Sequence, residues 1–95
     1  MFDNMELINN PNYTYYYKSP IGIFSICYKP ELEKWQLFYD NETFGNFDTT
    51  IGAADNVYLH ATGCYEWDKL DGKFDNVPTD IYEWERKLNK KRDFY

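Results

Sequence analysis

The chain has 95 residues, which is enough for one domain with a single small core. Aromatic residues make up 21% of it, and this share of large apolar rings excludes a chain that is disordered throughout. The formal charge of −6 is uneven, because residues 1–85 carry −10 and residues 86–95 carry +4. Duplex binding needs Lys and Arg to replace the counterions of phosphates, so the charge of the body disfavours it.

The first residues differ in composition from the rest of the chain. Residues 1–12 are rich in Asn and acidic residues, so we expect a loose lead-in followed by a single domain at 13–95. Tyr13–Tyr17 has high strand propensity, and the Ser19-Pro20 pair ends it.

Three further segments have the pattern of strands. Ile21–Tyr28 alternates, so that its side chains fall on two faces. Lys34–Asp40 and Thr43–Phe47 are rich in strand-forming residues and are separated by a short polar turn. We therefore predict a three-stranded antiparallel sheet, and we leave open whether Tyr13–Tyr17 adds a fourth strand.

A helix is predicted directly after these strands. Asp48 to Thr50 can cap its start, and Gly63 can end it in a left-handed conformation, which gives a helix over Thr49–Thr62. We expect this helix to pack across the sheet. Its predicted buried face consists of Ile51, Ala54, Val57, Tyr58 and Ala61.

The last third of the chain is predicted to end in a second helix. Cys64–Pro78 has mixed polarity and reads as an irregular segment that needs Trp67 as an apolar anchor. Asp80 with Glu83 three residues later is typical of a helix start. The inward stripe would be Ile81, Trp84 and Leu88. The predicted fold class is thus α+β, with one helix across the sheet, a second at the carboxyl end, and both Trp67 and Trp84 buried.

Reactive residue types are few. His60 and Cys64 have a spacing that can present two metal ligands from one helix, but zinc needs more partners and Cys27 is the only other soft ligand. The acidic segment around Gly72 does not fit a calcium-binding loop. The chain also shows no phosphate-binding loop and no nucleophile with a base and an orienting group. We therefore expect no enzyme, no catalytic or metal-binding residue, and no cofactor.

The compartment can be predicted from similar absences. The sequence shows no secretory signal and no apolar run of the roughly 18 residues that a membrane span requires. A cytoplasmic location without membrane contact is expected, and there Cys27 and Cys64 would be free thiols.

A series of short motifs follows in order along roughly residues 16–85. The motifs are Ser19-Pro20-Ile21-Gly22, Trp35-x-Leu37, Gly45-x-Phe47, Ala53-Ala54-x-x-Val57, Thr62-Gly63, Trp67-Asp68-x-Leu70 and Pro78-x-Asp80-Ile81-x-x-Trp84-Glu85. Together they resemble a family of small, uncharacterised bacterial and phage proteins. The resemblance implies a mobile-element context and a fold, but no activity for any residue.

A weaker resemblance covers Trp35 to about His60. Trp on a strand, a Gly-x-Phe strand end and an Ala-Ala helix are similar to the DNA-binding domain of plant ethylene-response factors and their phage relatives. Those domains read DNA with Arg and Lys on the sheet. This chain departs from them by offering Gln36, Asp40, Glu42, Thr43 and Asn46, so the likeness extends to the scaffold alone.

Two classes of function remain from the sequence. One is a small acidic, non-enzymatic interaction protein of a phage or prophage that inhibits or modulates a host protein with a basic surface, as anti-defence inhibitors do. Its first candidate contacts are Glu66, Asp68, Asp71 and Asp75. The alternative is a nucleic-acid-binding module that uses exposed aromatic rings and the basic carboxyl-terminal tail. Clustered acidic residues would favour the first class, and rings flanked by Lys would favour the second. The oligomeric state stays open.

Overall fold

The computed structural model describes residues 9–89, which form one antiparallel sheet with two helices and a 3-10 helix. The strands are β1 (Tyr13–Lys18), β2 (Ile23–Lys29), β3 (Lys34–Tyr39), β4 (Glu42–Phe47) and β5 (Glu85–Leu88). Helix α1 is Thr50–Tyr58, α2 is the single turn Tyr65–Asp68, and the 3-10 helix is Ile81–Glu83. The strand order is β4-β3-β2-β1-β5. The α+β class is confirmed, with five strands where three or four were predicted and with less helix.

Only the end of the predicted lead-in can be placed. Residues 1–8 lie outside the described part of the chain, and so do residues 90–95, which include most of the basic tail. The predicted strand at Tyr13–Tyr17 is confirmed as β1, a full member of the sheet that pairs with both β2 and β5.

The alternation predicted for the strands is confirmed by their register. Phe24 and Ile26 of β2 are buried, and they lie opposite Tyr17 and Tyr15 of β1. Ile23 and Cys27 fall on the other face, because side chains alternate along a strand. The buried side is called the covered face below. Its residues are Tyr13, Tyr15, Tyr17, Phe24, Ile26, Tyr28, Trp35, Leu37, Tyr39 and Phe47.

Helix α1 is shorter than predicted. Thr49 caps its start, where its hydroxyl oxygen accepts the backbone N–H of Gly52 at 3.0 Å. It ends at Tyr58, because His60 already takes a left-handed φ of 55° three residues before Gly63. The N–H of His60 bonds to the carbonyl of Val57, and the N–H of Ala61 bonds to that of Asn56. These two bonds form a Schellman motif with His60 in the place that glycine usually takes.

The early end of α1 changes which of its residues are buried. Ala54 and Val57 are buried as predicted, together with Ala53. The prediction was wrong for Ile51 and Tyr58, which are exposed on the helix, and for Ala61, which lies beyond it and is exposed too.

The predicted carboxyl-terminal helix is wrong after its first turn. Asp80 does cap that turn, since its Oδ1 accepts the N–H of Tyr82 at 2.9 Å, and the Glu83 carboxylate accepts the N–H of Thr79 at 3.1 Å. The chain then forms β5, which pairs antiparallel with β1. The backbone groups of β1 that face away from β2 need partners, and this demand overrides the helix propensity of the segment. Leu88, predicted on a buried stripe, is exposed in β5.

Trp67 joins the helical side of the molecule to the sheet. Its ring is fully buried and its Nε1 donates to the carbonyl oxygen of Val57 at 2.9 Å. The ring contacts Phe24 edge-on, with 5.1 Å between centroids. Trp84 is buried against Tyr17 at 5.7 Å. The predicted burial of both tryptophans is confirmed.

Candidate functional sites on two sides of the sheet

The first candidate site is a pocket of about 400 Å³ beside the carboxyl end of α1. Two carboxylates lie at this pocket, those of Asp71 and Asp75, while Phe74 and Val77 supply apolar wall. We call it the acidic pocket. Its lining residues are Tyr58, Leu59, His60, Asp71, Gly72, Phe74, Asp75, Val77 and Thr79.

His60 is the residue of this pocket under the strongest constraint. Its left-handed backbone conformation costs a residue with a side chain roughly 1–2 kcal/mol. The ring is held nearly parallel to Trp67, at 4.3 Å between centroids and 10° between planes. Its side chain is only 4% exposed, and its Nδ1 lies 3.7 Å from Oδ1 of Asp71. Its Nε2 is buried and has no hydrogen-bond partner among the described residues. The packing against Trp67 therefore fixes the imidazole at the pocket wall.

The four acidic residues predicted as contacts are separated by the fold. Asp71 and Asp75 are exposed and both line the acidic pocket. Glu66 lies at another depression, beside Tyr39 and Lys69. Asp68 has a structural role instead. Its carboxylate accepts the N–H and the hydroxyl of Thr62, at 3.0 and 2.8 Å. It also accepts the N–H of Gly63 at 2.8 Å. Only Asp71 and Asp75 thus share a site.

The second candidate site is the side of the sheet that faces away from α1 and Trp67. We call it the open face. Its strand residues are all intermediate or exposed in their accessibility, whereas the covered face has five buried residues, Tyr15, Phe24, Ile26, Trp35 and Leu37. They are Thr14, Tyr16, Lys18, Ile23, Ser25, Cys27, Lys29, Lys34, Gln36, Phe38, Thr43, Asn46, Glu85 and Lys87.

Aromatic rings on the open face lie beside lysines. The ammonium of Lys29 is 5.5 Å from the centroid of the Phe38 ring, and that of Lys87 is 5.7 Å from the centroid of the Tyr16 ring. Ser25 pairs with both Phe38 and Tyr16 in the register, so the two rings flank one small residue. This is the arrangement that the sequence reasoning associated with a nucleic-acid-binding module.

Charge divides sharply between the open face and the rest of residues 9–89. The open face carries four lysines and one glutamate. The other described residues carry three basic and twelve acidic side chains. The net negative charge of the described residues therefore hides a basic strand face.

Neither site resembles a metal centre. Among residues 9–89, no three His, Cys, Asp or Glu side chains come together to hold a metal ion. Cys27 and Cys64 are both free thiols. Burial raises the pKa of the Cys27 thiol, and the nearby charge of Lys29 lowers it by a smaller amount.

Among residues 9–89, no helix has the length and apolar character to cross a membrane.

Sequence reasoning missed the open face although a signal for most of it existed. The alternation along β2 was recognised, and it puts Lys29 on the same face as Cys27. The pairing of neighbouring strands puts Lys18 and Lys34 on that face too. The total charge of residues 1–85 is strongly negative, and it concealed these lysines on one face of the sheet. Lys87 could not be placed from sequence, because its segment was predicted as a helix.

Comparisons of the chain with protein-family models, with curated proteins and with solved structures give no significant match. Both resemblances drawn from sequence landmarks stay predictions, and function has to be inferred from the residues of the two sites.

Proposed function

We propose that the chain is a small acidic interaction protein without enzymatic activity, which binds a basic surface of another protein. In the phage or prophage setting implied by the stronger resemblance, it acts in the cytoplasm as an inhibitor or modulator of a host protein, in the manner of anti-defence inhibitors. The observation that carries the proposal is the acidic pocket, where the carboxylates of Asp71 and Asp75 lie beside an apolar wall.

The chemistry of the pocket suits a Lys or Arg side chain of the partner. Such a side chain has an apolar stem and a charged end, and the stem can lie along Phe74 and Val77 while the charge reaches the carboxylates. His60, almost wholly buried against Trp67, would keep this part of the wall rigid. A guanidinium group is planar and pairs with carboxylates through two parallel hydrogen bonds, so Arg is the preferred residue.

The acidic surplus outside the open face supports association with a basic partner. Within residues 9–89, the twelve acidic side chains outside the open face, against three basic ones, create a negative field that attracts a positively charged protein. Because salt screens such a field over about 8 Å at physiological ionic strength, association should slow as salt is added. A nuclease or polymerase that exposes a basic nucleic-acid-binding surface is the kind of host protein that fits.

The direct experiment is a binding titration with a fluorescein-labelled Arg-rich peptide. We expect D71N/D75N to lose about tenfold or more in affinity, since two charge-assisted contacts disappear. The matched control is E31Q/E33Q, which removes two charges from the exposed turn between β2 and β3 and should change affinity about twofold at most. Equal losses in the two double variants would mean that only the overall charge matters, and the pocket would not be the site.

Capture from host cytosol then identifies the partner. A specific protein should stay bound to the wild-type chain after nuclease treatment, and D71N/D75N should retain much less of it than E31Q/E33Q does. Loss of every bound protein on nuclease treatment would contradict a direct protein interaction.

A further inference from the structure

The lysines of the open face differ in whether the protein already neutralises them. Lys34 forms an ion pair with Asp48, and Lys18 lies 3.9 Å from a carboxylate oxygen of Glu85. The ion pairs found within residues 9–89 do not include Lys29 or Lys87. These two ammonium groups lie instead over the rings of Phe38 and Tyr16. The open face thus presents two positive charges without a carboxylate partner in the described chain.

The register places like charges side by side. Lys29 and Lys34 are directly opposite one another on β2 and β3. Like charges directly opposite one another on neighbouring strands repel. Asp48 already offsets the charge of Lys34, whereas Lys29 has no ion pair within residues 9–89, so its charge is free to meet an external anion.

The rings give the open face a second property besides charge. Phe38 and Tyr16 lie on one row across the sheet with Ser25 between them, which separates them by two strand spacings, about 10 Å. The small Ser25 leaves both rings accessible from the same side, and both are only partly buried. Gln36 and Asn46, which hydrogen-bond to each other at 2.9 Å, add amide donors and acceptors on the same face.

We propose that the open face binds single-stranded nucleic acid, with bases on Phe38 and Tyr16 and phosphates on Lys29 and Lys87. Stacking of bases on aromatic rings combined with a basic track for the backbone is how proteins hold single strands with little sequence preference. This site is separate from the acidic pocket and does not depend on the function proposed for it.

Charge complementarity and ring geometry together select this occupant. An acidic peptide would satisfy the lysines but would leave the two flat rings without a flat partner. A duplex keeps its bases stacked inside, so the rings could not reach them, and the twelve acidic residues elsewhere would repel its second strand. We therefore expect binding of a single strand and no binding of a duplex at physiological salt.

The test uses fluorescence polarisation with a labelled oligothymidylate of about ten nucleotides, a length within the span that one small single-strand-binding domain covers. K29Q/K87Q should weaken binding about tenfold or more at low salt, and should make the dependence of log affinity on log salt shallower by about 1.4, which is two phosphate contacts at about 0.7 each. Phe38→Leu should cost about tenfold by removing one base stack, with the charge unchanged.

Two control variants separate the open face from the other basic residues. K69Q/K73Q removes the same number of charges as K29Q/K87Q, and Lys69 also lies over a ring, that of Tyr65 at 5.4 Å. K90Q/K91Q/R92Q removes the three positive charges of the tail that follow Asn89. Near wild-type affinity in K69Q/K73Q, and at most a partial loss in the tail variant, supports the proposal. Losses as large in K69Q/K73Q as in K29Q/K87Q, or binding abolished by the tail variant alone, would overturn it.

Cys27 supplies a readout on the unmodified protein. It lies on the open face opposite Gln36 and is half-buried, whereas Cys64 is buried on the other side. Saturating oligonucleotide should slow alkylation of Cys27 several-fold and leave Cys64 as it was. Unchanged Cys27 labelling at saturation, or equal protection by a polyglutamate peptide at the same charge concentration, would also overturn the proposal, the latter in favour of an acidic protein ligand.

Discussion

The two faces of the sheet are built from the same alternating strands, yet their aromatic residues have different surroundings. On the covered face, Phe24 and Trp35 are buried and contact other rings. Within residues 9–89, the cation found over a ring of this face is Arg86 of the edge strand β5, which lies over the partly buried Tyr13. On the open face, Phe38 and Tyr16 are partly exposed and each lies under a lysine. The aromatic residues thus differ by face: most rings of the covered face form the core, whereas Phe38 and Tyr16 of the open face are partly exposed beside lysines.

The largest expected difference is in stability. Trp67→Ala should lower the free energy of unfolding by about 3–5 kcal/mol, because a fully buried ring and its hydrogen bond to Val57 are lost. Phe38→Ala should cost much less, about 1 kcal/mol, because its ring is only partly buried. Urea unfolding measures both. A cost of 3 kcal/mol or more for Phe38→Ala would erase the distinction between the faces. If Trp67→Ala does not fold, Trp67→Phe should still show a loss of at least 1 kcal/mol.

The acidic residues allow a second comparison of the same kind. Asp68→Ala should cost about 1–3 kcal/mol, because the N–H groups of Thr62 and Gly63 lose their acceptor. Asp75→Ala, at the acidic pocket, should change stability by less than about 0.5 kcal/mol. Thermal or urea unfolding of the two single variants decides this, and similar costs would show that the pocket carboxylate is also structural.

Burial of tyrosines on the covered face predicts sensitivity to alkali. Desolvation raises the pKa values of Tyr15 and Tyr17 above 10.0, so the folded chain holds phenolic protons that the unfolded chain releases. Stability from this source is fully present below pH 10 and is lost as pH rises above it. Urea unfolding at pH 8 and near pH 11 should show the loss, and Tyr17→Phe should reduce it. Equal stability at both pH values would contradict the burial.

The smallest expected effect concerns the two thiols. Burial raises the pKa of Cys27 above 9.0, so alkylation of the folded protein should be slow at pH 7 and should accelerate as pH approaches 10. Cys64, which is buried, should react only after unfolding. Mass spectrometry of iodoacetamide-treated protein reports both rates. Faster labelling of Cys64 than of Cys27 in the folded state would contradict the assignment of the two faces.

The strands could be predicted from sequence because their signal is local. Alternation along Ile21–Tyr28 already separates Phe24 and Ile26 from Ile23 and Cys27, and the register confirms the two faces, although the pattern did not say which one would be covered. The end of α1 was not predictable in this way. Gly63 is the usual residue for such a helix end, but the stack of His60 on Trp67 fixes the turn earlier. That contact joins residues whose pairing no local pattern indicates.

Strand β5 was missed for a related reason. The segment after Asp80 has the cap and spacing of a helix, and only the pairing demand of β1 turns it into a strand. For the sites, the position of Asp71 and Asp75 in a loop was enough to predict them as candidate contacts. The same argument selected Asp68, because the sequence does not show that its carboxylate bonds to the turn at Thr62 and Gly63.

We expect the basic open face and the acidic pocket to bind ligands of opposite charge, each at its own residues. The most direct test is an NMR titration of the ¹⁵N-labelled chain, first with oligothymidylate and then, on a fresh sample, with an Arg-rich peptide. The oligonucleotide should shift the amides of Tyr16, Cys27 and Phe38, and the peptide those of Asp71 and Asp75. Both ligands shifting the same set of amides, or neither shifting its own set, would contradict the claim.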